Sequence, residues 1–223
     1  RDTAKIVAYN VQKLARQERK AVLAATTHTD LFQDLKPSIH IHKRFGKEVK
    51  VHYYPNTPNT KCSLTKQMHI QTGTIEDYRQ LAQFHYRETG GIPPPRKIFT
   101  LKRQKELVGV IVYSYSPIVC FGRSKAFAKK LTVQELNEKF SIISRVVLHP
   151  KYRTIGLGAK LVKETLPFVG TSYVETVAVM ARYNPFFEKA DMQKIAEQMS
   201  SKSWVEALEK LRKLGINPIL MAS

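Results

Sequence analysis

The stretch SRVVLHPKYRTIGLGAKLVKETL, Ser144 to Leu166, constrains this chain more than any other. An apolar run stops at Pro150, a basic turn holds Tyr152 and Arg153, glycines follow at 156 and 158, and an amphipathic pattern begins. Proline cannot continue a ladder, and glycine adopts backbone conformations closed to other residues. The segment therefore predicts a strand, a tight turn and a helix starting near Gly156. The first amides of a helix have no partner within it and lie at the positive end of its dipole. Such an end binds phosphate. With no side chain at 156 or 158 the backbone can approach a pyrophosphate, and Arg153 places charge beside it. A turn whose glycines only permit packing shows the same pattern, so the surrounding element order has to decide.

The rest of the chain narrows the class. At 223 residues and 43% hydrophobic content it can bury a real core as one large or two unequal domains. No apolar run approaches the roughly 20 residues that cross a bilayer, and RDTAKIVAYN lacks the apolar core of a secretory signal. A cytoplasmic location is expected, with no membrane partner. Cys62 and Cys120 are far apart and lack metal-ligand spacing, so they read as ordinary thiols and no metal site is expected. With 37 Lys and Arg against 18 Asp and Glu, the net charge is +19. A polyanionic partner, RNA or a ribonucleoprotein, fits that balance. The basic residues concentrate between Arg96 and Lys130, where Glu106 is the lone acid.

Hydrophobic periodicity gives the order of elements. Asp2 to Arg19 predicts a helix, capped by Asp2 or Thr3, with Ile6, Val7, Asn10, Val11 and Leu14 on one side. Ala21 to His28, AVLAATTH, predicts a strand covered on both faces. An alternating KEVKVHYY follows, and PNTPNT, residues 55 to 60, reads as a linker. Residues 1–58 and 59–223 are the expected domains. The second opens with a short strand in MHIQTGT and a helix through Ile75, Tyr78 and Leu81. KIFTLKR and ELVGVIVYSYS then pair as antiparallel strands about a turn at Gln104 and Lys105. LTVQELNEKF is ambiguous. IISRVVLHP predicts a strand, TIGLGAKLVKETLPFV a helix, YVETVAVMA a strand and NPFFEKADM a short helix. The C-terminal run from Gln193 predicts helix, helix and strand.

That order, together with HPKYRTIGLGAKLV, resembles the GNAT acyltransferase superfamily, whose acetyl-coenzyme A loop reads Arg or Gln, two residues, Gly, one residue, Gly or Ala. Here it is Arg153, Thr154, Ile155, Gly156, Leu157, Gly158, and the likeness covers roughly residues 64 to 194. The resemblance implies an α/β (α+β) fold with a mixed, mostly antiparallel sheet flanked by helices. It also implies acetyl-CoA as cofactor and transfer of the acetyl group to an amine by direct attack. The strand before the motif would part from the next one, with Val147 and Leu148 lining the slot for the pantetheine arm. The pyrophosphate would sit on the amides of Ile155, Gly156, Leu157, Gly158 and Ala159, near Arg153 and Lys160, with Lys163 as a secondary contact.

Transfer to an amine needs a group that removes its proton and one that protonates the leaving thiolate. Some members of the superfamily carry a carboxylate on the motif strand, where FSIISRVVL has none, and many carry a Tyr where this chain has Phe187. The substitutes are Tyr183 as acid and Glu175 or His149 as a water-mediated relay.

The first 55 residues resemble the last portion of an ABC-type ATPase domain. His28, after AATT, matches its switch histidine, and DLFQDL follows. No G-x-x-x-x-G-K-[ST] or LSGGQ-like signature is present, so the chain alone cannot hydrolyse ATP. Arg1 is not a methionine, and the resemblance implies the C-terminal part of an ABC-type ATPase fused to an acetyltransferase domain, a family chiefly archaeal. The missing ATPase portion is then a partner. The alternatives are a GNAT-shaped module that binds nucleotide or RNA and regulates the ATPase without catalysis, and a plain basic nucleic-acid binder.

Overall fold

The computed structural model describes residues 1–85, 91–179, 181, 183–197, 209–210 and 213–214. Its chain forms two compact units, Arg1–Ile118 with Leu131–Gln193, and Val119–Lys130 with Lys194–Ser223. In chain order the first unit contains α1 (Asp2–Gln17), α2 (Phe32–Leu35), β1 (Ile39–Lys43), β2 (Val49–Tyr53), β3 (Met68–Thr72), α3 (Ile75–Ala82), β4 (Pro95–Arg103) and β5 (Glu106–Tyr115). The second unit contributes α4 (Arg123–Ala126), after which the first resumes with α5 (Val133–Lys139), β6 (Phe140–Leu148), α6 (Leu157–Thr165) and β7 (Tyr173–Glu175).

Five strands make the main sheet in the order β3-β4-β5-β6-β7, antiparallel throughout except for the parallel pair β6 and β7. This is the mixed, mostly antiparallel α+β architecture expected. Alternation along β4 and β5 sends side chains to both faces. Phe99, Leu101, Ile111 and Tyr113 meet Leu161 and Val162 of α6 together with Ile6 and Tyr9 of α1. Ile98, Val110, Val112 and Val147 pack with Leu81 of α3. Each large apolar side chain buried in this way contributes about 1.5–3 kcal/mol. Both faces of β5 are covered, which explains why its sequence is apolar almost without interruption.

Several expectations change. Ala21–His28 forms no strand and is exposed throughout, because a strand persists only with a ladder partner and none pairs with it among the described residues. Helix α1 buries Ile6, Ala8, Tyr9 and Gln12, whereas Val7 and Leu14 face solvent at 53% and 58% exposure. Its packing on Cys62 and Leu64 selects that side. Neither Asp2 nor Thr3 caps it; Arg1 is the N-cap residue and bonds through no side chain, while Asp2 pairs with Arg103 at 2.5 Å. The ambiguous segment is α5, nucleated by a capping box between Thr132 and Glu135. Strand β7 stops at Glu175, short of the expected Ala181, and NPFFEKADM holds one 3-10 turn, Glu188–Ala190. Gln193–Glu197 is not helical, and most of the remaining C-terminal prediction lies outside the described residues. Segment 55–60 is irregular as expected, but Tyr9 donates to the Thr60 carbonyl at 3.3 Å and the first unit runs through it. No helix among the described residues is long and apolar enough to cross a membrane.

Candidate active site

Strand β6 and the loop after it build the site. Its N-terminal third is flanked on both sides, pairing with β5 and, through Phe140↔Tyr173, Ser141↔Val174 and Ile142↔Glu175, with β7. Beyond Ile142 the second partner leaves. Thr176 Oγ1 donates to the Ile143 carbonyl at 3.3 Å, and past that contact no strand among the described residues pairs with this edge of β6. Ser144 is the extra residue of a bulge, since Arg145 pairs with Val112 and Ile143 with Tyr113. A bulge bends its strand and sharpens the twist, which turns the end of β6 away from β7.

Alternation tells which backbone groups line that edge. The amide of His149 donates to Val108 at 2.9 Å, so 149, 147 and 145 point their backbone groups at β5. Val146 and Leu148 point theirs outward. Of the two residues expected to line the slot, Leu148 therefore turns its amide to the edge, while its carbonyl accepts from Arg153 at 3.2 Å. Val147 has its backbone taken by β5 and its side chain buried on the α3 face. Val146 joins Leu148 and was missed, because a bulge that resets alternation leaves no mark in the sequence.

The loop then makes a 3-10 turn, Pro150–Tyr152, and enters α6 through two left-handed residues, Thr154 (φ 73°) and Gly156 (φ 85°). Gly156 is the N-cap of α6 and no side chain caps the helix. Among the described residues no acceptor meets the amides of Ile155, Gly156, Leu157, Gly158 or Ala159; the first amide bonded within the helix is that of Lys160, to Gly156 at 3.1 Å. The two glycines differ in purpose. A Cβ at 156 would meet nothing within 4 Å, so it is the left-handed backbone that favours glycine there. A Cβ at 158 would lie 3.3 Å from the Phe186 ring, so close packing requires it there.

The cations expected around this helix start are engaged inside the protein. Arg153 donates to the Leu148 carbonyl at 3.2 Å and the Phe84 carbonyl at 2.8 Å, bracing the loop. Lys160 pairs with Glu164 at 2.8 Å and Lys163 with Asp191 at 2.6 Å. The fit to a diphosphate rests on the backbone amides. The loop has a further brace, Asn10 of α1, which donates to Thr154 Oγ1 at 2.8 Å. Its signal in the sequence was a polar residue inside the apolar stripe read for α1.

The three proton-transfer candidates lie on separate segments. His149 accepts from the Lys151 amide at 3.3 Å through Nδ1 and sets its ring 4.9 Å from Phe84. Glu175 ends β7 and accepts from Ser116 Oγ. Tyr183 is 77% exposed in a turn. No hydrogen bond joins any two of them among the described residues. His28 is exposed and precedes a 3-10 turn, its amide bonded to Thr26 Oγ1 at 3.0 Å. Burial pushes the Cys62 thiol up to about 11, which keeps it protonated and inert. In the basic run, Arg103 pairs with Asp2, Lys102 with Asp77 at 3.7 Å, and Lys97 donates to Phe168.

No protein-family model matches the chain, and no curated protein matches it. Among solved structures it is similar to a GNAT-family acetyltransferase from Streptococcus pneumoniae, with 15% identity and a TM-score of 0.39 over 60% of this chain and 96% of that one. It is similar to an aminoglycoside acetyltransferase from an uncultured soil metagenomic sample, in complex with sisomicin, at 14% identity and TM-score 0.43 over 62% and 95%. An acetyltransferase from Trypanosoma brucei matches at 18% identity and TM-score 0.39 over 60% and 97%. Likeness at this level carries no activity across.

Proposed function

We propose that this chain is a GNAT-type N-acetyltransferase that binds acetyl-CoA and passes its acetyl group to an amine. One observation carries the reading: the edge of β6 at Val146 and the Leu148 amide, unpaired by any strand among the described residues, leads through a short loop to the uncapped amides of residues 155–159. A strand edge offers hydrogen bonds to an amide-bearing arm, and a bare helix start accepts a diphosphate. Those are the two chemistries of coenzyme A. Bound there, the coenzyme supplies an activated thioester for direct attack, with no covalent intermediate on the protein.

The protein's own share is orientation and charge. The outward backbone of β6 fixes the arm, and the loop braced by Arg153 and Asn10 fixes the anion end. Glu175 or His149 would relay the amine proton through water, and Tyr183 would protonate the thiolate. Because no hydrogen bond joins these three among the described residues, a second reading keeps its place: a GNAT-shaped module that binds nucleotide or RNA and regulates an ABC-type ATPase without transfer. His28 and the division at residue 58 belong to that ATPase reading. RNA or a ribonucleoprotein remains the proposed polyanionic partner on the strength of the +19 charge.

Calorimetry with coenzyme A, and thiol release from acetyl-CoA over a panel of polyamines, peptides and RNA, test the proposal. Saturable binding with amine-dependent thiol release is expected. Binding without release selects the regulatory module, and absence of coenzyme binding rejects the transferase reading.

A further inference from the structure

Two arginines have a buried Nε without an acceptor among the described residues, Arg96 and Arg145. Arg96 lies over the Tyr115 ring at 4.4 Å and donates to the Asn137 carbonyl, so its guanidinium is used by the fold. Arg145 has less. Its Nη1 donates to the Ser144 carbonyl at 2.8 Å, and no carboxylate among the described residues lies within ion-pair distance of it. A guanidinium stays charged at all physiological pH, and a buried donor left unsatisfied is costly enough to require an explanation.

Its position supplies one. Arg145 directly follows the bulge and directly precedes Val146, the first residue of the open edge. By register it lies opposite Val112, on the sheet face covered by α3, where Val112 and Val147 are buried. Ser144 turns to the same face, its Oγ 2.8 Å from Ser114 Oγ and 3.1 Å from the Val112 carbonyl. With Nη1 taken, the side of the guanidinium formed by Nε and Nη2 meets no acceptor among the described residues. That pair of parallel N–H groups matches two oxygens of a carboxylate or phosphate.

Resting on the acetyltransferase reading, we propose that Arg145 binds an anionic group of the acyl acceptor, so that the substrate is an amine that also bears a carboxylate or a phosphate. The anion docks on the Nε and Nη2 fork, and the amine of the same molecule is held beside Val146, where the thioester would lie. Arg145 is a substrate-binding residue here and takes no proton.

The test uses β-alanine, O-phosphoethanolamine and ethanolamine on the full chain. Wild-type kcat/KM is expected to favour one or both acidic amines over ethanolamine by about tenfold or more, the worth of one charge-assisted bond. Arg145→Gln should erase that preference with coenzyme A affinity unchanged by calorimetry, and Arg145→Lys should restore part of it. Which acid is preferred separates a carboxylate from a phosphate source. Equal loss for all three amines, or no preference in the wild type, overturns the proposal. A nitrogen-15 spectrum supplies a readout independent of turnover. The Nε–H signal absent from Arg145→Lys should shift saturably with the acidic probes and stay still with ethanolamine. Immobility with all three overturns the site even if coenzyme A binds, whereas failure of coenzyme binding with a responsive Arg145 rejects only the transferase reading.

Discussion

Helices α3 and α5 begin in one way and α6 in another. Thr74 and Asp77 close the start of α3, the Asp77 carboxylate accepting from the Thr74 amide at 2.8 Å. Thr132 and Glu135 do the same for α5, at 2.9 Å from the Thr132 amide to Glu135 and 3.2 Å for the return bond. Helix α6 begins at Gly156, which has no side chain with which to cap. A capping residue contributes about 0.5–2 kcal/mol. Helix α6 does without it because Leu157, Leu161 and Val162 are buried against the sheet. Two of these starts are finished by the protein's own side chains, and the third is not. Local sequence decides which: T-x-x-D and T-x-x-E in two cases, G-x-G in the other.

The sharpest way to break this contrast is to give α6 a cap. Gly156→Asp meets open space, and Asp is among the few residues that tolerate a left-handed backbone. Its carboxylate would occupy the anion site, and coenzyme A affinity should fall about a hundredfold or more, the worth of two charge-assisted bonds. The melting temperature should drop only slightly. Next in size, Gly158→Val drives a branched side chain into Phe186 and should destabilise the fold by about 1–3 kcal/mol in urea titration. That outcome separates the packing glycine from the conformational one.

On the closed side of the comparison, Thr132→Ala should cost about 1 kcal/mol of stability and leave coenzyme affinity untouched. A loss of affinity would mean the capped and bare starts are not independent. Asn10→Ala removes the bond to Thr154, and coenzyme affinity should weaken by about threefold in calorimetry while the fold persists. The smallest effect concerns the anchoring of α1. The hydrogen bond from Arg103, helped by Lys151 and opposed by burial, holds the Asp2 carboxyl below its usual range. A depressed carboxyl stabilises the fold above the unfolded pKa, about 3.9, and loses that effect as pH falls through the folded value. The gap in melting temperature between wild type and Asp2→Asn should be present at neutral pH and vanish in acid.

Where a pattern is local, the sequence announced it. The β4–β5 hairpin, the strand before Pro150 and the glycine entry to α6 all follow from alternation and turn residues within a dozen positions. The T-x-x-E of α5 was equally local, though obscured by the apolar and polar mixture around it. Failures came where a partner decides. Ala21–His28 has strand composition without a strand paired to it among the described residues, and α1 has an apolar stripe that differs from the side chosen by Cys62 and Leu64. In the candidate site, the glycine entry to α6 at Gly156 was legible and the outward turn of the Val146 backbone was not.

What the sequence determined by itself is the set of chemical opportunities: a basic chain, a phosphate-compatible turn and a strand leading into it. Propensity and turn geometry act over a few residues, so they are written in the order of those residues. Only the tertiary structure decided which edge of β6 no described strand pairs, that Arg153 and Lys160 are spent inside the protein, and that the Arg145 Nε meets no acceptor among the described residues. Those outcomes depend on groups far apart in the chain that compete for the same hydrogen bonds, and that competition is settled only once the sheet has assembled.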